Sequence, residues 1–151
     1  MRFRLLGLGL AAAVFAGSVA CDEDLSSLTG PTPNLTPTFS SIQNEIFNTT
    51  DSSGRAACIN CHNSNGRVPA GGLDLTSAVA YSRLVNVPSG QRPTVNRVAP
   101  GDPENSYLVH KLEVLRPGTL GGRMPRGTGP FLTDGQMLVV RRWIELGAPN
   151  N

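Results

Sequence analysis

Cys58-Ile59-Asn60-Cys61-His62 is the stretch from which the rest of the chain is best read. Two thiols three positions apart, with a histidine directly after the second, form the CxxCH pattern that attaches c-type haem. The spacing has a physical reason. Thiols so placed reach vinyl groups on adjacent pyrroles and form thioethers, and His62 then stands beneath the iron as an axial ligand. Covalent attachment also keeps a cofactor that dilution would otherwise remove. Two other uses of the cysteines compete with this one. A disulfide or thioredoxin-like pair expects a strand before CxxC and a βαβ context, and the sequence offers neither. A tetrahedral zinc site needs four ligands and would have to draw on Cys58, Cys61, His62 and the distant His110.

Upstream of the motif the chain reads as an export signal. Arg2 and Arg4 precede the uncharged apolar run from Leu5 to Ala16, and Ser18-Val19-Ala20 places small residues before Cys21. Residues 1–20 are therefore expected to be a signal peptide, its apolar part being short for a membrane span. The expected location is the periplasm or cell envelope. Cys21 resembles the cysteine of a bacterial lipobox, whose thiol receives a diacylglyceryl group, although Ser18 stands where leucine is usual. Ordinary cleavage after Ala20 is the alternative. A lipid on Cys21 would tether the protein to a membrane, and Asp22 after it resembles an inner-membrane retention signal.

Charge excludes one class of partner. The 151-residue chain has 13 basic and 11 acidic residues. Without Arg2 and Arg4, eleven basic residues face eleven acidic ones. Such a balance supplies no global field to draw nucleic acid, and none is expected as a partner.

Residues 21–37, with Ser26-Ser27, Gly30-Pro31, Pro33 and Pro37, read as a lipidated N-terminus and an exposed tether. Residues 38–151 form the expected domain. Phe39, Ile42, Ile46 and Phe47 follow helical spacing, with Ser40 or Ser41 available as N-cap. A weaker helical pattern runs from Ser77 to Val87 and stops at Pro88. Another starts at Gly101-Asp102-Pro103-Glu104, where Asp102 is the expected cap and Pro103 suits the first turn. Its apolar face is Tyr107, Leu108, Leu112 and Leu115. The last helix is the best marked: Thr133 and Gln136 form a capping-box pattern, Met137, Val140 and Ile144 share a face, and Gly147 and Pro149 end it. No alternating strand pattern stands out. The expected class is all-α, three to five helices with long loops. Loops of that length call for a functional cause, and a buried haem is one.

For the sixth iron ligand the candidates are Met124, Met137 and His110. Met124 lies in the flexible loop Gly121-Gly122-Arg123-Met124-Pro125-Arg126, and its position before proline favours extended backbone. It is the favoured ligand. Met137 reads as core, and His110 would make a bis-histidine haem.

Together these features resemble a class I, mono-haem cytochrome c, and more closely the cytochrome c-like domains of exported bacterial proteins. The shared stretches are Cys58 to His62, Gly71 to Leu75, Pro100 to Ser106, Arg123-Met124-Pro125, and Thr133 through Ile144 to Pro149. The resemblance implies a small helical fold around one covalent haem c, with the first and last helices crossing so that Phe47 and Trp143 meet. It also implies a proline carbonyl accepting from the His62 ring, for which Pro69 is nearest. The expected function is electron transfer to redox protein partners by a membrane-tethered carrier, not an enzyme. His62 and Met124 would fill both axial positions, and methionine raises the potential relative to bis-histidine. Arg67, Arg123 and Arg126 would surround the haem edge. The alternatives are a haem-based sensor or peroxidase-like enzyme with a labile sixth ligand, and a structural haem lipoprotein serving as a binding module.

Overall fold

The computed structural model describes residues 30–113 and 119–151. The signal peptide, Cys21 and most of the tether lie outside the described residues, as does Leu115. Among the described residues the regular structure is helical. It comprises α1 (Phe39–Ile42), which continues as a π-helical turn (Gln43–Phe47), then α2 (Ala80–Leu84), α3 (Tyr107–Leu112) and α4 (Asp134–Glu145). Two short 3-10 turns, Cys58–Asn60 and Ala70–Gly72, lie between them. No strand occurs among the described residues, only the isolated pairings Val85 with Val98 and Pro88 with Asn96. They fold the expected long loop back on itself. Nor is any helix among them long and apolar enough to cross a membrane.

Helix α4 forms where its sequence says it should. The Thr133 side chain accepts from the Gln136 amide, and the Gln136 side chain accepts from the Thr133 amide, a reciprocal box that closes the first turn. Gly147, at φ 92°, ends it in the left-handed region that costs glycine nothing.

The other helix starts differ from expectation. Thr38 caps α1, accepting from the Ser41 amide at 3.2 Å, in place of Ser40 or Ser41. Asp102 caps nothing helical, because its carboxylate is taken by the amide and side chain of Asn105 in a tight turn. That turn consumes residues 102–105, so α3 begins only after Ser106. The Ser77 to Val87 pattern shortens to α2, since Val79 and Val85 at its ends are both non-helical.

Phe39 organises the core. Its ring centroid lies 6.5 Å from Phe47, 5.1 Å from Tyr81 and 5.6 Å from Trp143. Phe47 and Trp143 are thus linked through Phe39. Trp143 is fully buried, and its indole N–H donates to the Pro149 carbonyl at 2.9 Å. Ile42, Ile46, Val109, Val140 and Ile144 fill in around them, and α3 packs against α4. The chain's last residue closes the cluster: Asn151 accepts from the amides of Phe39 and Ser40.

The end of the expected tether belongs to the domain. Leu35 is buried in the core, and Thr32 is buried with its hydroxyl accepting from Gln136 Nε2 at 3.0 Å. Among the described residues, packing thus includes Thr32 and Leu35, upstream of the expected boundary at residue 38.

Candidate functional site

Cys58 to His62 folds locally. The amides of Cys61 and His62 both return to the Cys58 carbonyl, at 3.2 and 3.0 Å, and make a single tight turn. The two cysteines are free thiols, Cys58 half-buried and Cys61 exposed. The chain then loops back over the motif. Ala70 donates to the Cys61 carbonyl and Leu75 to the His62 carbonyl, at 3.0 and 2.8 Å.

That return fixes the histidine. His62 Nδ1 lies 3.3 Å from the Leu73 carbonyl oxygen. A carbonyl only accepts, so Nδ1 carries the hydrogen and Nε2 is left with its lone pair. Burial lowers the ring's pKa, which favours the neutral, metal-binding form. The orienting carbonyl is that of Leu73 and not Pro69, whose oxygen is taken by the Gly72 amide.

The motif forms one wall of a cavity of about 430 Å³, within the usual range for ligand and cofactor sites. Cys58, Cys61 and His62 share it with Phe47, Leu73, Leu75, Leu84, Leu108 and Leu112. Met124 lines the same cavity, brought there by its backbone: its amide donates to the Lys111 carbonyl at 2.7 Å. The Lys111 ammonium holds the loop, donating to the carbonyls of Leu120 and Gly122, each at 2.8 Å.

The charged lining is one-sided. Arg97, Lys111 and Arg126 face the cavity, and no Asp or Glu among the described residues lines it. Among the described residues Arg97 and Lys111 bond only neutral carbonyls, Arg97 those of Arg83 and Gly72. Burial lowers the pKa of both. A largely apolar chamber with unneutralised cations suits a large apolar ligand that bears anionic groups.

Other expected residues stand elsewhere. His110 is buried on α3 with Nε2 at 2.6 Å from the Glu104 carbonyl, and it does not line the cavity. Met137 is buried in the core. Of the three arginines, Arg126 lines the cavity. Arg67 bonds the Asn60 carbonyl, while Arg123 bonds Leu112 and lies 4.2 Å over the Phe131 ring. Among the described residues no three His, Cys, Asp or Glu side chains converge as a metal-binding group, so the zinc alternative finds no ligand set.

Three contributors were not legible in sequence: Leu73 through its carbonyl, Lys111 and Arg97. Lys111 carried one signal, as the only lysine in the chain. The chain matches no protein-family model, no curated protein and no solved structure.

Proposed function

We propose that the protein is a c-type cytochrome, with a small cytochrome c fold, that carries electrons between redox proteins. The observation that carries this reading is that His62 and Met124, with Cys58 and Cys61, line one largely apolar cavity whose charged side chains, among the described residues, are all cationic. The residues fit haem: thiols for its vinyl groups, a neutral imidazole and a thioether for its iron, and cations for its propionates. When bound, haem would supply a one-electron iron couple.

The protein's own groups do the rest. Cys58 and Cys61 would hold the cofactor through thioethers. His62, oriented by the Leu73 carbonyl, would offer Nε2, and Met124 would offer its sulfur from the loop that Lys111 clamps. With His62 and Met124 both committed to the iron, the site would offer substrate no coordination position, which suits outer-sphere transfer. The apolar wall of Phe47, Leu73, Leu75 and Leu84 would exclude water, which together with methionine ligation favours a higher potential. The sensor or peroxidase alternative would need an acid–base pair beside a vacant position, and no carboxylate or second histidine lines the described cavity. Export and a lipid on Cys21 belong to the proposal and rest on residues 1–22.

The test is expression of the full chain with a bacterial haem-attachment system, followed by mass and absorbance measurements. Haem should stay with the denatured polypeptide, and Cys58→Ser with Cys61→Ser should release it. The oxidised protein should show a methionine-to-iron charge-transfer band that Met124→Ala removes. A wild type without covalent haem overturns the reading, and a band that survives in Met124→Ala overturns the ligand assignment.

A further inference from the structure

Behind the Cys58 wall lies a buried ion pair that the haem reading leaves unused. Arg55 is fully buried, and its Nε donates to Asp51 Oδ2 at 2.9 Å. Its remaining four N–H groups go to carbonyls: Nη1 to Ile46 and Ala56, at 3.1 and 3.3 Å, and Nη2 to Glu45 and Thr49, at 3.2 and 3.4 Å. Every donor of the guanidinium is used. Two of these acceptors, on Glu45 and Ile46, lie in the π-helical turn; those on Thr49 and Ala56 belong to the loop that leads to the cysteines. Asp51 is anchored in turn by the Arg55 and Ser53 amides and by Gln136 Nε2 from α4.

The pair meets the motif at one atom. The Ile46 carbonyl that accepts from Arg55 Nη1 also accepts from Cys58 Sγ, at 3.5 Å. Ala56, also bound by Arg55, lines the cavity beside Ala57 and Cys58.

We infer that Arg55 is a positioning residue for Cys58: its guanidinium, anchored by Asp51, fixes the turn that stands the Cys58 thiol at the cavity wall for thioether formation. The inference rests on the haem reading. In that addition the C–S bond forms at one vinyl carbon, the thiol hydrogen passes to the other, and the C=C double bond is consumed. No oxidant or reductant enters. Cys61 is exposed and receives none of these contacts, so the two thioethers should differ in their dependence on Arg55.

The experiment expresses the full chain with a haem-attachment system as wild type, Arg55→Gln, Arg55→Lys and a destabilised core control, Ile144→Ala. Three readings are taken: haem retained on the denatured chain, the reduced pyridine haemochrome band, and alkylation of unreacted thiols located by peptide mass. An unreacted vinyl stays conjugated and moves that band to longer wavelength. Arg55→Gln should lower the yield of the Cys58 thioether at least tenfold while sparing that of Cys61. Arg55→Lys keeps the charge without the fork. It should show the same selective loss to a smaller degree, and it decides the matter if Arg55→Gln gives no soluble protein. Ile144→Ala should keep both thioethers.

Arg55 variants with a wild-type Cys58 thioether overturn the inference and leave the haem reading intact. So does an Ile144→Ala variant that loses Cys58 attachment in the same proportion. A wild type with no covalent haem overturns the haem reading itself and the inference with it.

Discussion

The Met124 amide donates to the Lys111 carbonyl at 2.7 Å, which suspends the glycine-rich loop from the end of α3. Lys111 holds the same loop twice more through its side chain, on Leu120 and Gly122. A thioether on such a loop stays in place only as well as its backbone does. Lys111→Met keeps the apolar stem and removes both side-chain bonds. Hydrogen bonds from a charged group contribute roughly 1.5–3 kcal/mol. On the proposed haem reading, the cofactor should therefore remain covalently bound while displacement of Met124 becomes roughly tenfold easier or more. The measurement is the rate of carbon monoxide binding by the reduced protein, and a rate equal to wild type would refute the clamp.

Phe39 is the ring through which the two ends of the domain meet, touching Phe47, Tyr81 and Trp143. Phe39→Ala should destabilise the fold by about 3–5 kcal/mol, the usual cost of emptying a buried aromatic site. Urea unfolding should show a lower midpoint with an unchanged slope. A loss below about 1 kcal/mol would mean that the aromatic cluster does not hold the core together.

The capping box of α4 has two unequal halves. Among the described residues the Thr133 side chain bonds the helix end alone, and Thr133→Ala should cost about 1 kcal/mol. Gln136 closes the same box with Oε1 while Nε2 reaches Thr32 and Asp51. Gln136→Ala removes its half of the box together with its bonds to the buried Thr32 and Asp51, so its cost should exceed that of Thr133→Ala by about 1–3 kcal/mol. Denaturation of both variants side by side checks the order, and equal losses would show that the contacts of Gln136 to the N-terminal segment contribute nothing.

What the sequence revealed and what it hid follow one physical division. The capping bonds of Thr133 with Gln136, and the turn from Cys58 to His62, join close neighbours in the chain, so a short window contains the cause of each. Asp102 also sits in a short window, but two outcomes competed there, and the side chain of Asn105 favoured the tight turn over the helix cap. The Leu73 carbonyl on His62 and the Thr32 hydroxyl under Gln136 are set by chain return, over 11 and 104 residues. No periodicity announces them. A proline-rich segment with one buried threonine and one buried leucine reads as a tether until its partner on α4 is seen. Arg55 was hidden for a related reason, since a lone arginine in a polar loop has the composition of a solvated charge.

The loop that carries Leu73 is closed by Asp74, and its chemistry gives a pH dependence. The Ser64 hydroxyl donates to Asp74 Oδ2, while the amide and hydroxyl of Thr76 donate to Oδ1. The Ser64 bond first, and then those from Thr76, pull the carboxyl from its ordinary 3.8 to about 2. The folded protein thus binds this proton less tightly than the unfolded chain does. The stabilisation is complete above the unfolded value of 3.8 and drains away as pH falls through that value toward 2. Asp74→Asn removes the titrating group, so it should be less stable than wild type at neutral pH and lose less between 3.8 and 2. Urea midpoints of both proteins across that window make the comparison. Parallel acid limbs would show that the Ser64–Asp74–Thr76 clip has the same proton affinity folded and unfolded, and that the loop over His62 is held by its backbone bonds alone.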